Sequence, residues 1–330
     1  MIFVTGGTGL VGRHVLRELG RQGLPATALV RNDAGAEAVR RLGAVPFTGS
    51  VDEVATWNRV GGVAGIIHAA ALVTTRAGWE DYERVNVRSV RLAGGRARAL
   101  GIPLVHISSV AVYDRRPDEF PESVIDERAP IGPLEGVEFY PRSKRLAEVA
   151  LWEAAAAGLR AVALRPCVIY GQGDRQFLPR IVRAARCGWL PMVSPGNRPM
   201  TIVHAASVAQ VAVRALSAPA GWGRAFNVAN DGEITPPGFI AAVAAGLKRR
   251  VRTLRVPVAP ARFLARAADG LLQAVAPERF PMRIGGVVSF WRGGNPFTSA
   301  AAREVFGWAP AMRHADAVAR AVRSLSEPAM

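Results

Sequence analysis

An α/β fold, a doubly wound parallel sheet with a smaller and less regular C-terminal region, follows from three features of this chain of 330 residues. Short apolar runs alternate with segments of helical periodicity through the first two thirds, the pattern of parallel strands joined by crossover helices. The first run leads directly into a glycine-rich turn. Beyond Tyr170 the alternation loosens into connections rich in proline and glycine, with shorter elements between them.

Taken in order, the expected strands are IFVT (2–5), ATALV (26–30), VPF (45–47), GIIHAAA (65–71), PLVHISS (103–109) and AVALRP (161–166). Between them RHVLRELGRQG and YERVNVRSVRLAGGRARALG repeat apolar residues at helical spacing and stop at glycine. Later, AFNVAN reads as a strand and PPGFIAAVAAGLKRR as a helix. The expected division is a mainly dinucleotide-binding domain over 1–170 and a mainly substrate-binding region over 171–330, with a strand at about 225–229 a candidate to rejoin the sheet.

Composition narrows the class. Half of the residues are hydrophobic, 50%, enough to bury a large core and to exclude a disordered chain. No apolar run reaches the roughly 18 to 20 residues of a membrane span; the longest, near Leu264 to Ala276, is interrupted by Arg266, Asp269 and Gly270. MIFVTGGTGLVG enters a strand at once, which predicts a cytoplasmic protein without a leader. The two cysteines, Cys167 and Cys187, form neither a disulfide framework nor a metal set. Forty-two Lys and Arg against 26 Asp and Glu leave a charge of +16, but the basic residues are spread out and not interleaved with aromatics. That argues against nucleic acid and leaves anionic ligands and peripheral membrane contact as the partners such a charge favours.

Gly6, Gly9 and Gly12 follow the first strand and open the first helix. Small residues there allow a sharp turn and let a pyrophosphate approach the free N–H groups of a helix N-terminus, the Rossmann-type dinucleotide site. The second strand ends in Arg31 and Asn32 where an acidic residue would hold the ribose hydroxyls of NAD, and Arg13 stands just behind the glycine turn. An arginine at that place suits a 2′-phosphate, so NADP is preferred over NAD as the cofactor.

Lysine occurs only at Lys144 and Lys248 in a chain that otherwise uses arginine, and Lys144 lies four residues after Tyr140. That spacing puts both on one helix face. A compact ammonium can hold ribose hydroxyls and lower the pKa of a phenol, making it a usable acid and base. Ser108 and Ser109 end the fifth strand, the end at which parallel sheets bind ligands, and a serine there can hydrogen-bond a substrate oxygen. Asn86, on the preceding helix, is a candidate anchor for a proton-relay water or simply a solvated amide. His68 and His106 lie in apolar strands and read as packed core residues; with His14 they show no ligand spacing, and no metal is expected. Cys167 reads as packing.

TGGTGLVG, HAAA, VNV, ISSVAVY, YPRSK, LRPCVIYG and VFGWAP together resemble the extended short-chain dehydrogenase/reductases, part of the NAD-dependent epimerase/dehydratase superfamily, over nearly the whole chain. The resemblance implies catalytic roles for Ser109, Tyr140, Lys144 and Asn86. It implies cofactor contacts from Gly6, Thr8, Gly9, Leu10, Val11 and Gly12, from Arg31, from Ser50 and Val51, from His68, Ala69 and Ala70, from Tyr140 and Lys144, and from Pro166. Four positions depart from the family: Ser50 replaces the acidic residue after the third strand, Ala64 the Asp before the fourth, and Ala206 and Ser207 the two Asp after His204. These bear on adenine contacts and on a helix cap.

Within the family, LRPCVIYG, FLPRIVRAARCG and NPFTSAAAREVFGWAP resemble the 3β-hydroxysteroid dehydrogenase-like branch. The expectation is an NAD(P)-dependent oxidoreductase acting on a secondary alcohol or ketone, with a bulky hydrophobic, steroid-like or long-chain, substrate. Phe263, Leu264, Leu271, Leu272, Val275 and Phe280 are the expected apolar lid, or else one face of an ordinary packed helix. The alternative is a nucleotide-sugar epimerase, disfavoured because Met200 stands where those enzymes carry an arginine, four residues before His204, with Arg198 the nearest. A 4,6-dehydratase would need acids at Val110 and Ala111, and a non-catalytic dinucleotide sensor would lack the Tyr and Lys that this chain keeps. A homodimer is among the expected assemblies.

Overall fold

Seven apolar runs, each long enough for one strand, pair into a single parallel sheet: β1 Ile2–Thr5, β2 Ala26–Val30, β3 Val45–Thr48, β4 Gly65–His68, β5 Leu104–Ile107, β6 Ala161–Pro166 and, from the second half of the chain, β10 Arg224–Val228. This is a computed structural model, and it describes residues 1–73, 77–113, 124–131, 138–194, 197–229, 232–275, 288, 290–291, 294–310 and 312–326. The spatial order is β10-β6-β5-β4-β1-β2-β3. Strands β1, β4, β5 and β6 are buried on both faces, as continuous apolar runs in a covered parallel sheet require. The order reverses between β1 and β4, so the crevice for a ligand opens there, at the carboxyl ends of the strands.

Helices α1 Leu10–Arg21, α2 Asp33–Arg40, α3 Val54–Asn58, α4 Trp79–Tyr82, α5 Ser89–Ala99 and α6 Phe139–Ala156 supply the crossovers and the covering layers, joined on one face by α8 Ala205–Ala215. Two cores result. One, around Val4, Val15, Ile67, Val105 and Leu164, seats α1 and α8; the other, around Phe3, Ile66, Leu104, Ala147 and Leu151, seats α5 and α6.

The strand expected over 65–71 stops at His68, since the Ala70 N–H turns away to donate to Thr5 Oγ1 at 3.1 Å. The one expected over 103–109 ends at Ile107. Both strand ends thus release their next residues into the crevice as loops.

A third core gathers around Tyr170, Leu178, Leu190, Phe239 and Val318. It is built from β7 Val168–Tyr170, α7 Leu178–Arg186, β8 Trp189–Ser194, β9 Ile202–His204, α9 Pro236–Leu247, β11 Arg252–Pro257 and α10 Val258–Val275, while α11 Ala300–Phe306 packs on the first core through Ala302 and Phe306 and α12 His314–Ser326 closes the third. Strands β7 and β9 pair in parallel, as do β8 and β11. Helices α9 and α12 meet at Gly246, where a Cβ would lie 2.7 Å from the Ala319 carbonyl and from Val322. Only glycine admits that approach.

On α10, Ala261 and Ala265 turn inward, while Phe263 and Leu264 of the expected lid are 74% and 63% exposed. The side chains of Leu271, Leu272 and Val275, and the whole of Phe280, lie outside the described residues.

Candidate active site

The turn from β1 into α1 has the shape of a pyrophosphate cradle. Gly6 adopts a positive φ of 70°, and a Cβ there would sit 2.8 Å from the backbone of Ala69 and Ala70. A Cβ at Gly12 would overlap the Gly6 carbonyl oxygen. The Gly9 N–H closes the turn on that carbonyl at 2.9 Å, and no side chain caps α1. The first N–H groups of a helix have no partner within it, so Leu10, Val11 and Gly12 present donors at the positive end of the helix dipole. Thr8 is held from behind, its carbonyl accepting from Arg13 Nε at 3.0 Å. The glycines therefore fit a dinucleotide on grounds of space and donors together.

The other residues expected to contact the cofactor lie as follows. Arg31 is exposed on the turn after β2, with no ion pair among the described residues, while Asn32 is occupied in capping α2 through Gly35 N–H at 2.9 Å. After β3, the Ser50 N–H donates to Thr56 Oγ1 at 3.0 Å, and its hydroxyl donates to Asp52. Asp52 in turn pairs with Arg84 at 2.6 Å, and although partial burial opposes it, the bonds from Ser50 and Arg84 hold its carboxyl below the usual range. The Val51 carbonyl accepts from Trp57 Nε1 at 2.8 Å. Ala69 and Ala70 flank Gly6, and Pro166 ends β6.

His68 is a packed core residue, as its apolar strand predicts. Its imidazole is fully buried, with Nδ1 3.0 Å from Thr5 Oγ1 and Nε2 3.0 Å from Ser89 Oγ. Ser89 spends its hydroxyl proton on the Val85 carbonyl and Thr5 Oγ1 accepts from Ala70, which makes Nε2 the protonated nitrogen and Nδ1 the acceptor. Burial first, and Lys144 second, push its pKa down to about 3. A neutral ring so engaged is a core brace, and only the backbone of His68 remains for a cofactor. His106 stacks on it at 5.7 Å and is depressed for the same reasons.

Tyr140 lies in the first turn of α6 and its hydroxyl is hydrogen-bonded with the Ser109 side chain. Ser109 Oγ also accepts from the Ala111 N–H at 3.1 Å, which fixes the hydroxyl beside β5. Ser108 is not available, since it donates to Glu148 Oε1 at 2.5 Å. One turn on, Lys144 is 2% exposed and its ammonium donates to the Ile107 carbonyl at 2.8 Å, at the end of β5. Two donor positions of the ammonium remain.

The expectation that Lys144 lowers the tyrosine pKa is not met in this structure. Burial raises the Tyr140 phenol, the Ser109 bond opposes that, and Tyr82 adds to it. Lys144 itself is lowered to about 8 by burial, against the pull of Glu148.

Asn86 is 2% exposed, so it is not a solvated amide. It sits in a π-helical turn, Glu83–Arg88, that directs its amide inward. The amide exchanges two hydrogen bonds with the Leu72 backbone, at 2.7 and 3.0 Å, and donates to Ser143 Oγ at 2.9 Å. Ser143 passes its proton to the Tyr140 carbonyl at 2.8 Å. This relay ties the loop after β4 to the helix turn that carries Tyr140.

Sequence reasoning missed Ser143, Glu148 and Arg165. Beneath Lys144, Glu148 accepts two bonds from the buried Arg165, at 3.0 and 2.6 Å, and Arg165 reaches Tyr113 at 2.8 Å. Burial works against the Arg165 charge, yet the pairing with Glu148 raises its pKa overall. Two signals were present: Tyr140, Lys144 and Glu148 recur every four residues, and Arg165 is a charge inside an apolar strand, where it requires a partner. The helix cap left in question by Ala206 and Ser207 is made by His204, whose Nδ1 accepts from the Ala206 N–H at 3.2 Å.

Comparison with known proteins agrees with this geometry. The 4-hydroxy-2-methyl-3-oxo-4-farnesyl-3,4-dihydroquinoline-1-oxide ketoreductase of Stigmatella aurantiaca is 31% identical over 84% of this chain and 82% of its own length. The 2-alkyl-3-oxoalkanoate reductase of Stenotrophomonas maltophilia (strain K279a) is 30% identical over 71% and 72%. Among solved structures, MoeE5 in complex with UDP-glucose and NAD shares the fold, with a TM-score of 0.71, 21% identity and 98% of each chain covered. The model of the NAD-dependent epimerase/dehydratase family matches residues 2–229. With the cradle, the crevice and these likenesses in agreement, the chain belongs to the NAD-dependent epimerase/dehydratase family, as an enzyme of the extended short-chain dehydrogenase/reductase type.

Proposed function

We propose that the protein is an NAD(P)-dependent oxidoreductase that interconverts a ketone and a secondary alcohol on a bulky, apolar compound. The observation that carries this reading is the meeting of Tyr140, Ser109 and Lys144 at the carboxyl end of β5, beside the glycine cradle. A bound nicotinamide dinucleotide supplies or accepts the hydride. The residues suited to hold it are Gly6, Thr8, Gly9, Leu10, Val11 and Gly12 for the pyrophosphate, Ser50 and Val51 toward adenine, and Ala69, Ala70, Lys144 and Pro166 toward the nicotinamide half.

The chain's own part is proton handling. Ser109, its oxygen already fixed by the Ala111 N–H, orients the substrate oxygen with its hydroxyl proton. Tyr140, its phenol raised by burial, is protonated at neutral pH and donates to that oxygen in the reductive direction. Lys144, docked on Ile107, keeps positive charge one turn away as the phenolate forms. Asn86 and Ser143 hold the Tyr140 turn in register.

Two features support the substrate class. Met200 is buried with its N–H on the Ile234 carbonyl at 2.8 Å, so no cation clamps a diphosphate from that position. The two named relatives are a ketoreductase and a reductase of 2-alkyl-3-oxoalkanoates. We assign NADP as the preferred cofactor on Arg31, which is exposed at the end of β2 where an acidic residue would hold the ribose hydroxyls of NAD. The test is a turnover panel with NADPH and NADH, offering long-chain β-keto acids, sterol ketones, UDP-glucose and UDP-galactose. Reduction of the apolar ketones is expected. Epimerised UDP-sugar, with no ketone reduced, would overturn the assignment.

A further inference from the structure

Away from the crevice, the outer face of β8, β11 and α10 combines exposed apolar side chains with dense positive charge. Strand register places Arg252 beside Trp189 and Leu254 beside Pro191, so Trp189, Arg252 and Leu254 share one face of the two-stranded ribbon. Trp189 and Leu254 are 51% and 58% exposed, and the Arg252 guanidinium lies 5.3 Å over the Trp189 ring. Helix α10 leaves the end of β11 directly and, with Ala261 and Ala265 turned inward, presents Phe263 and Leu264 to solvent.

Cations predominate in the segment that carries these side chains. At the end of α9, Lys248, Arg249, Arg250 and Arg252 line an open, shallow depression floored by Ala241, Ala244 and Ala245. Arg262 and Arg266 follow on α10, and the only acid between Pro236 and Val275 is Asp269. Among the described residues no helix is long and apolar enough to cross a membrane.

We propose that this face docks on an anionic lipid surface. Aromatic and aliphatic side chains beside a rim of arginines suit the boundary between headgroups and acyl chains. Phe263, Leu264, Leu254 and Trp189 supply the insertion, and the cations supply attraction to phosphate and acidic headgroups. A second copy of the chain is the poorer occupant, because a symmetric contact would bring like charges face to face. Contact at the membrane would also put the enzyme where apolar substrates partition, although the docking itself does not depend on the proposed reaction.

The experiment is co-sedimentation of the full chain with phosphatidylcholine vesicles, with and without phosphatidylglycerol, over a range of salt. Binding to the phosphatidylglycerol vesicles alone, weakening with salt, is the expected result. Arg252→Gln and Arg249→Gln should each lower partitioning about fivefold. Phe263→Ser with Leu264→Ser should abolish it, while circular dichroism and melting of these exposed-site variants stay at wild type. Failure to sediment with phosphatidylglycerol vesicles would overturn the proposal, as would wild-type sedimentation of the Phe263→Ser, Leu264→Ser protein. Sedimentation velocity showing that this double variant splits a dimer, without vesicle binding by the parent, would assign the face to a second copy and equally overturn it.

Discussion

Replacing Lys144 with methionine should stabilise the cofactor-free protein while destroying its turnover. Burial brings the ammonium to about 8, despite Glu148, whereas an unfolded lysine titrates near 10.4. At about 1.4 kcal/mol per unit, the charged lysine costs roughly 3 kcal/mol of stability at pH 7. Methionine fills a similar volume without that charge. It removes the bond to the Ile107 carbonyl, a loss of about 1 kcal/mol, so the net gain at pH 7 is about 2 kcal/mol.

The pH dependence carries the sign. Below about 8 both folded and unfolded wild type hold the proton and the penalty is complete. Between there and the unfolded value the unfolded chain binds more protons, so wild-type stability rises with pH. Above both values only the lost hydrogen bond distinguishes the variant, which should then be the less stable by about 1 kcal/mol. Urea unfolding of both proteins near pH 7 and near pH 10.5 measures the difference at each end. A variant less stable than wild type at pH 7, or a difference that does not change with pH, would refute the reasoning.

Two further outcomes are expected. Tyr140→Phe should bind dinucleotide with unchanged affinity, because the cradle is built from other residues, and lose about 10² to 10⁴ in single-turnover rate; a rate within about threefold of wild type would remove Tyr140 from proton transfer. Arg31→Asp should weaken NADP by about ten- to a hundredfold and leave NAD equal or better, the loss of one charge-assisted contact; calorimetric titration showing equal change for both cofactors would make Arg31 an ordinary surface residue.

How much of this was legible beforehand depends on sequence distance. The core strands of the sheet, the glycine turn and the shared face of Tyr140 and Lys144 are written in spacings of a few residues, because backbone geometry alone sets those periods. Glycine at 6 and 12 could be read the same way, as a demand for space that no other residue meets.

What only the tertiary structure decided joins residues far apart in the chain or depends on burial. Glu148 with Arg165, and Asn86 with Ser143, meet across 17 and 57 positions once the strands are ordered. The partners that make His68 a core brace stand 63 and 21 positions away and are found for the same reason. The tyrosine pKa, read as lowered from the nearness of a cation, is raised because desolvation of the phenol is the largest influence on it. Helix α10 makes the point most simply: an amphipathic pattern says that Phe263 and Leu264 share a side, but inside and outside are assigned by what the rest of the chain packs against, and here Ala261 and Ala265 took the interior.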